Sequence, residues 1–467
     1  MKKIYKLFVI IVLLFGSTTA KAQNDGIALT LLPHLSYNNF YNPSVPLESN
    51  VVFGVGISNV GFSVYNSSIK YKNLYGFEGE TPVSLDANKF INSLDEHDNF
   101  INTNFSLDII RVGARFGKFF VDLDWRLRYN GEIHYSRDFL GFFVNGNGHY
   151  LGHDNPADFS IGADINMFTE LGVGLQYAIN DKLSVGVRPK LLFGLANLSV
   201  NDDQTYIYTD ENTYEMTADV NINMQAATAF DTDIYRMSEF RDFIDTVRFD
   251  EILNIKENIG FGIDFGATYI FNENIGVSAG VYDLGFIKWT EAKEKHNHKD
   301  NVVVNDALVD DFNDVLNMNL DLTSLYEGLI EDIWEDDSLY HGEDYKTSLK
   351  TRIMLQGYYE LMPMARFTAI GQMYYVKDKF RPALTLAYSG SFFKFLNFTA
   401  SYTASKYVGN SIGAGISLNF GPLNIYAVTD NIMIVSKIGA STTKLLTSYD
   451  SANVRFGLVF TLGKVKK

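Results

Sequence analysis

Among the 467 residues there is no cysteine. That excludes disulfide staples, thiolate metal sites and a lipid-modified N-terminal cysteine. Proline is scarce, at nine residues, and charged residues make up only 20% beside 14% aromatics. A disordered chain has fewer aromatics and more charge. Cationic excess is missing too: the net charge of -16 leaves no basic footprint for nucleic acid. After the N-terminal segment no apolar run reaches the roughly 18 residues of a membrane-crossing helix. The eight histidines are scattered. His149 and His153, like His296 and His298, have ligand-like spacing but no third group to close a site. No nucleophile-elbow pattern or phosphate-cradling loop occurs. The expectation is therefore no metal, no cofactor and no catalytic constellation.

The N-terminus reads as an export signal. Lys2, Lys3 and Lys6 form its basic end, Leu7 to Phe15 its apolar run, and Ala20-Lys21-Ala22 a small-x-small cleavage site. Cleavage is expected between Ala22 and Gln23, so that residues 1–22 are lost and 23–467 form the mature protein. An exported chain with no later apolar helix is either soluble or a membrane barrel.

What is abundant is alternation. From Phe159 to Tyr177 the odd positions are apolar except Thr169, and the even ones are polar or glycine except Phe168. A period of two over such a span is a strand signature. The pattern resumes at Leu183 and runs to Leu195 with Arg188 and Lys190 on the polar side. Phe119 to Leu127 alternate with Asp122, Asp124, Arg126 and Arg128, and four charges on one face of so apolar a strand require a wet interior. Ile259 to Phe271 and Ile275 to Val281 repeat the scheme around Asn272-Glu273-Asn274. Near the C-terminus, Leu396–Ala404, Ile412–Phe420, Leu423–Val428 and Val454–Leu462 do the same. Strands in soluble domains average only about five or six residues. Arms this long, apolar on one face and polar on the other, suit a wall between lipid and an aqueous lumen. Glycine and serine on the polar face either leave room inside or merely let the wall coil.

The expected fold is thus all-β, a transmembrane antiparallel β-barrel of about fourteen strands, with about twelve to sixteen allowed. Tight turns near 117, 180, 273, 362, 393 and 421 fall on one side. Long segments near 73–102, 129–157, 200–257, 294–347 and 431–452 fall on the other, as extracellular loops with short helices around Leu85–Leu94, Phe139 and Tyr235–Phe249. Gly26–His34 and Asn50–Ser58 read as short β-like runs flanking Asn42-Pro43-Ser44-Val45-Pro46. Between Asp300 and Tyr345 there are 14 Asp or Glu and no Lys or Arg. This acidic insert, about 300–345, reads as a solvated outer loop with two helical stretches, one opened by the capping-box spacing of Ser324 and Glu327.

The candidate site is an ion cluster in the lumen wall. A three-residue turn at 179–181 would set Glu170 directly opposite Lys190, with Arg188 one diagonal step away and all three on the polar face. A bulge at Pro189 would instead shift Lys190 and leave Arg188 as the partner. Such a cluster either narrows a passage or only pins register.

Several runs carry a resemblance: Asn42-Pro43-Ser44-Val45-Pro46, Glu170-Leu-Gly-Val-Gly continuing to Val187-Arg188-Pro189-Lys190, Tyr426 to Asn431, and Val454-Arg455-Phe456-Gly457 to the C-terminus. Together they resemble a family of outer-membrane β-barrels of unknown function found in Bacteroidota. More loosely, the chain is similar to long-chain fatty-acid transporter type barrels. The resemblance implies the outer membrane of a Gram-negative bacterium and contact with its lipid. It brings no catalytic motif. Three functions are then open: passive uptake of a small hydrophobic or amphipathic solute, a non-transporting surface or secretion-accessory barrel, and an outer-membrane hydrolase. The first fits the small-residue polar face, the second the acidic loops.

Overall fold

The computed structural model describes residues 26–35, 39, 41–67, 75–78, 81–97, 99–202, 205–229, 257–290, 293–304, 340–362, 365–376, 379–393, 395–405, 410–432 and 451–464. The wall is a closed antiparallel barrel of fourteen strands. They are β1 (Ser49–Val55 continued by Val60–Asn66), β2 (Asn99–Phe116), β3 (Phe119–Tyr135), β4 (Ile161–Ala178) and β5 (Leu183–Asp202). Then come β6 (Ile259–Asn272), β7 (Ile275–Trp289), β8 (Thr351–Met362), β9 (Ala365–Val376) and β10 (Lys379–Phe392). β11 (Leu396–Ala404), β12 (Ser411–Phe420), β13 (Leu423–Thr429) and β14 (Ser451–Lys464) complete it. Each strand pairs with the next, and both pieces of β1 pair with β14, so the ring has no free edge. The short turns share one rim with Ser49 and Lys464, which pair there, and the ends of the strands joined by long connections lie at the other. No described helix is long and apolar enough to cross a membrane.

The alternation now has a physical meaning. One parity of each strand, such as Val173, Leu175, Phe261 and Phe265 at odd positions or Phe456 and Phe460 at even ones, is exposed on the outside, while Asp122, Asp124, Glu170, Arg188 and Lys190 are buried inside. Bulges change this phase. In β2 the pairing with β3 shifts between Asp108 and Ile110, so Asp108 and then Arg111, of opposite parity, both face the lumen. In β7, Tyr282 and Asp283 together oppose Asp264. Asp283 takes a left-handed φ of 55°, and the inward positions above it become odd: Ile287 and Trp289. The register expected for the first hairpin is corrected. Its last pair is Ala178 with Ser184, so paired numbers sum to 362 and not 360, and Lys190 pairs with Gly172 and Glu170 with Leu192. The bulge of this hairpin lies at Leu195, where Met167 pairs with Ala196 but Phe168 with Gly194, and not at Pro189.

Beyond the outer rim the sheet branches. Met216–Thr228 pairs with the far end of β5 and with Lys293–Val304, and Tyr206–Thr209 joins its edge. Helix α2 (Ala87–Asn92) is capped by Asp86 and helix α3 (Arg137–Asn145) by Ser136. Phe142, Tyr150, Phe159, Ile207, Met216 and Val220 form a separate apolar core there. Gly26–His34 is not a strand. It contains the helical turn α1 (Ile27–Leu31), whose five residues are all buried within the barrel. There the chain is enclosed on all sides, so apolar residues at consecutive positions find partners without a period of two. The helical readings at Tyr235–Phe249 and between residues 305 and 339 lie outside the described residues. So do Ala22, Gln23 and the rest of the export signal. Residues 300–304 of the acidic insert belong to the Lys293–Val304 strand.

Candidate functional site: a plugged, charge-waisted lumen

The described residues between Gly26 and Glu48 fill the lumen near the short-turn rim. Ile27, Ala28, Leu29, Leu32, Leu35 and Leu47 are buried in apolar clusters with wall residues such as Tyr426, Val428 and Met354. Its start is tethered by Asp430 at the end of β13. Both carboxylate oxygens accept backbone N–H bonds, from Gly26 at 2.8 Å and Ala28 at 2.7 Å. This satisfies donors that the first turn of a helix leaves open.

The run Asn42-Pro43-Ser44 docks on the wall through two glycines. Gly186 and Gly266 are cross-strand partners on β5 and β6. A Cβ on Gly186 would lie 2.2 Å from the backbone C and O of Pro43, and one on Gly266 would lie 2.1 Å from Asn42 Oδ1. Around this contact Ser184 Oγ and Gln176 Nε2 donate to the Ser44 carbonyl at 2.7 and 3.1 Å. Ser44 Oγ and Thr268 Oγ1 are 2.7 Å apart. Those glycines make room for the plug, which answers one of the two readings of the small-residue face at this place.

Above the plug lies a waist of paired charges. Arg188 is split between Asp122 at 2.5 Å and Asp124 at 2.7 Å. Glu170 meets Arg128 at 3.0 Å and Arg126 at 3.3 Å, while Lys190 stands 3.9 Å away. Lys190 makes its short contacts with Asp283 at 2.7 Å and Asp264 at 2.8 Å. Asp283 also receives a two-pronged bond from Arg128, at 2.9 and 3.1 Å. The structure thus brings Glu170 and Lys190 into one network and gives Arg188 separate acids on β3. Asp264 and Asp283, which sequence reasoning did not single out, are central to it. Asp264 was visible as an acid among glycines on β6, whereas Asp283 faces inward only because of the bulge. Burial of so many ions is tolerable only when each is paired. Paired in this way they spare little charge for a free ion.

Higher still the interior turns apolar. Phe168, Leu192, Ile287, Trp289 and Leu349 cluster with Tyr345. Trp289 sits over Gly194 and donates to Thr347 at 2.9 Å. Between plug and wall at the short-turn rim is a cavity of about 300 Å³, bounded by Leu35, Tyr41 and Val45 on the plug and by Ile270, Met354 and Tyr358 on the wall. His149 packs on Tyr150 and His153 on Tyr208. Among the described residues no three His, Asp or Glu are placed to hold a metal.

Solved structures similar to the chain include the Pseudomonas putida toluene transporter TodX, at 8% identity over 94% of this chain and 95% of that one, with a TM-score of 0.41. A Pseudomonas aeruginosa FadL homologue is 10% identical over 94% and 96%, with a TM-score of 0.43. The translocator domain of autotransporter NalP from Neisseria meningitidis is 7% identical over 89% of each chain, with a TM-score of 0.32. These are likenesses of overall chain path, and none assigns this chain a solute. No curated protein matches it. The family of unknown function DUF5723 matches residues 43–430, from the plug's Pro43 to its tether Asp430, and the chain belongs to that family.

Proposed function

We propose that the protein is exported behind a signal cleaved between Ala22 and Gln23, spans the outer membrane, and passes small hydrophobic or amphipathic solutes through a lumen closed by its own N-terminal segment. The membrane placement is supported by the outward belt, where Phe53, Phe62, Leu355, Phe367, Leu386 and Ile416 stand exposed and lipid is the solvent such a surface calls for. The passage rests on one observation. The plug is held by side-chain hydrogen bonds and close packing, with no strand pairing to the wall among the described residues, beside a cavity of about 300 Å³. A segment attached in that way can leave without breaking the ring. The paired waist suits uncharged or weakly charged cargo better than free ions.

A covalent lock tests this. Ser44 and Thr268 touch through their hydroxyls at 2.7 Å, and a chain without cysteine permits Ser44→Cys with Thr268→Cys and no competing thiol. Oxidised protein in liposomes should lose uptake of a small hydrophobic solute, and reduction should restore it. Equal uptake in both states would take the plug off the route. A second reading, a surface barrel, draws on the outer sheet with its own apolar core around Phe159 and Met216. Deleting the Tyr206–Thr228 hairpin separates the two, since uptake would survive if that sheet serves another purpose.

A further inference from the structure

Arg352 on β8 differs from the other cations of the lower lumen. Those of the waist each reach a carboxylate, and Arg111 and Arg455 each reach an asparagine side-chain oxygen, on Asn39 and Asn59. The Arg352 side chain is 8% exposed, and among the described residues it makes no ion pair and no hydrogen bond. Three tyrosine rings surround it instead. Tyr282 and Tyr374 are its cross-strand partners on β7 and β9, and Tyr41 belongs to the plug. Its guanidinium carbon is 4.8 Å, 5.9 Å and 5.3 Å from those ring centres, respectively. Ring faces balance part of the charge. They accept none of the five N–H donors in the guanidinium plane, which match the paired oxygens of a carboxylate, sulfonate or phosphate. The Tyr282 hydroxyl beside it is also buried and without a hydrogen-bond partner.

The surroundings suit a molecule with a tail. Tyr282 and Met354 belong to an apolar cluster with Ile27, Leu31, Ile370 and Ala387 at the plug–wall boundary. Tyr41 and Met354, the next inward residue of β8, also line the cavity at the short-turn rim. Tyr41 therefore separates Arg352 from that cavity.

We propose that Arg352 is a binding site for the anionic head of an amphipathic solute, with the Tyr282 hydroxyl as a further donor and the Ile27–Met354 cluster taking the tail. This rests on the uptake reading and narrows its solute class to amphipathic anions. It also brings the solute's head beside the plug, because Tyr41 packs on the same guanidinium.

The test is binding, measured apart from transport. Octane-1-sulfonate and octan-1-ol, of equal tail length, are titrated into full-length protein in a neutral detergent, with empty micelles subtracted and tryptophan and tyrosine fluorescence as readout. The sulfonate should bind the parent at least about tenfold more tightly than the alcohol. Arg352→Met should remove that preference while leaving the alcohol within about twofold, and Arg352→Lys should keep part of it. Equal affinity of the parent for both probes overturns the proposal without any variant, so a variant that fails to assemble does not shelter it. Inorganic sulfate binding as tightly as octane-1-sulfonate overturns the tail assignment. Liposome uptake is scored separately: selective binding without uptake refutes the passage and keeps the site, and uptake without anion preference does the reverse.

Discussion

Gly186 is where plug and wall can be separated by one substitution. A valine there suits the strand, since β-branched side chains favour a pleated wall. Its Cβ, however, would lie 2.2 Å from the backbone of Pro43, where ordinary contact begins at 3.4 Å. Backbone cannot swing aside, so the plug must retreat by about 1.2 Å, the difference between the two distances. That carries the Ser44 carbonyl beyond hydrogen-bonding reach of Ser184 and Gln176, now 2.7 and 3.1 Å away, and strains the Ser44–Thr268 contact. Three bonds at about 1 kcal/mol each make roughly 3 kcal/mol, or about a hundredfold in occupancy of the docked state. Gly186→Val should therefore assemble a heat-modifiable barrel like the parent, with residues 26–48 newly open to protease and a raised conductance in planar bilayers. Gly266→Ala should do less, because its Cβ meets the Asn42 side chain, which can rotate. A Gly186→Val barrel with the parent's protease protection and conductance would refute the docking argument.

Asp430→Ala removes the acceptor of two backbone bonds to the start of α1, at about 1–3 kcal/mol, and hydrogen exchange at Gly26–Ala28 should rise with the wall amides unchanged. Glu170→Lys should lower assembly yield, since a buried uncompensated charge costs about 3–5 kcal/mol. Adding Lys190→Glu should recover part of the yield and Arg188→Glu none, because Arg188 is held by Asp122 and Asp124; equal rescue by both would contradict the network. A cysteine at exposed Glu211, or at Ser338 in the acidic insert, should react with an impermeant maleimide on intact cells. Labelling only after rupture of the outer membrane would invert the orientation. Mass spectrometry of the exported protein should find Gln23 at the N-terminus, and an intact residue 1 would contradict the cleavage.

The wall was legible because an apolar outside and a polar lumen impose opposite demands on adjacent residues. Phe119–Leu127, set against Asp122 to Arg128, states both demands at once. Turn positions were legible for a similar reason: Asn, Asp and Gly cluster where φ or side-chain bonding requires them, as at Asn272, whose carboxamide oxygen accepts from the backbone of Asn274 and Ile275 at 2.9 Å. Register was less so. A register shift of two residues, closed by Ala178 on Ser184, moved Glu170 off Lys190, and long side chains then closed the gap diagonally at 3.9 Å. The plug escaped altogether. Gly26–His34 has strand-like apolar content, but enclosure inside a barrel removes the polar face that would betray a helix.

The bulges explain why the site was harder to read than the fold. A bulge moves one residue out of phase, so parity, the most reliable guide to which side a residue faces, fails just beyond it. Asp283 owes its inward aim to such a shift, as do Arg111 on β2 and Trp289 on β7. All three face the lumen, two among its polar groups and one in its apolar cluster. Such phase breaks widen what a strand offers, because a regular strand can present only every second residue to the lumen. Asp283 shows what the break supplies: with Asp264 on the facing strand it places two carboxylates around one ammonium, Lys190, at 2.7 and 2.8 Å. Had β7 remained regular, the next inward position after Tyr282 would have been Leu284, now exposed on the outside, and Lys190 would have kept one close carboxylate instead of two.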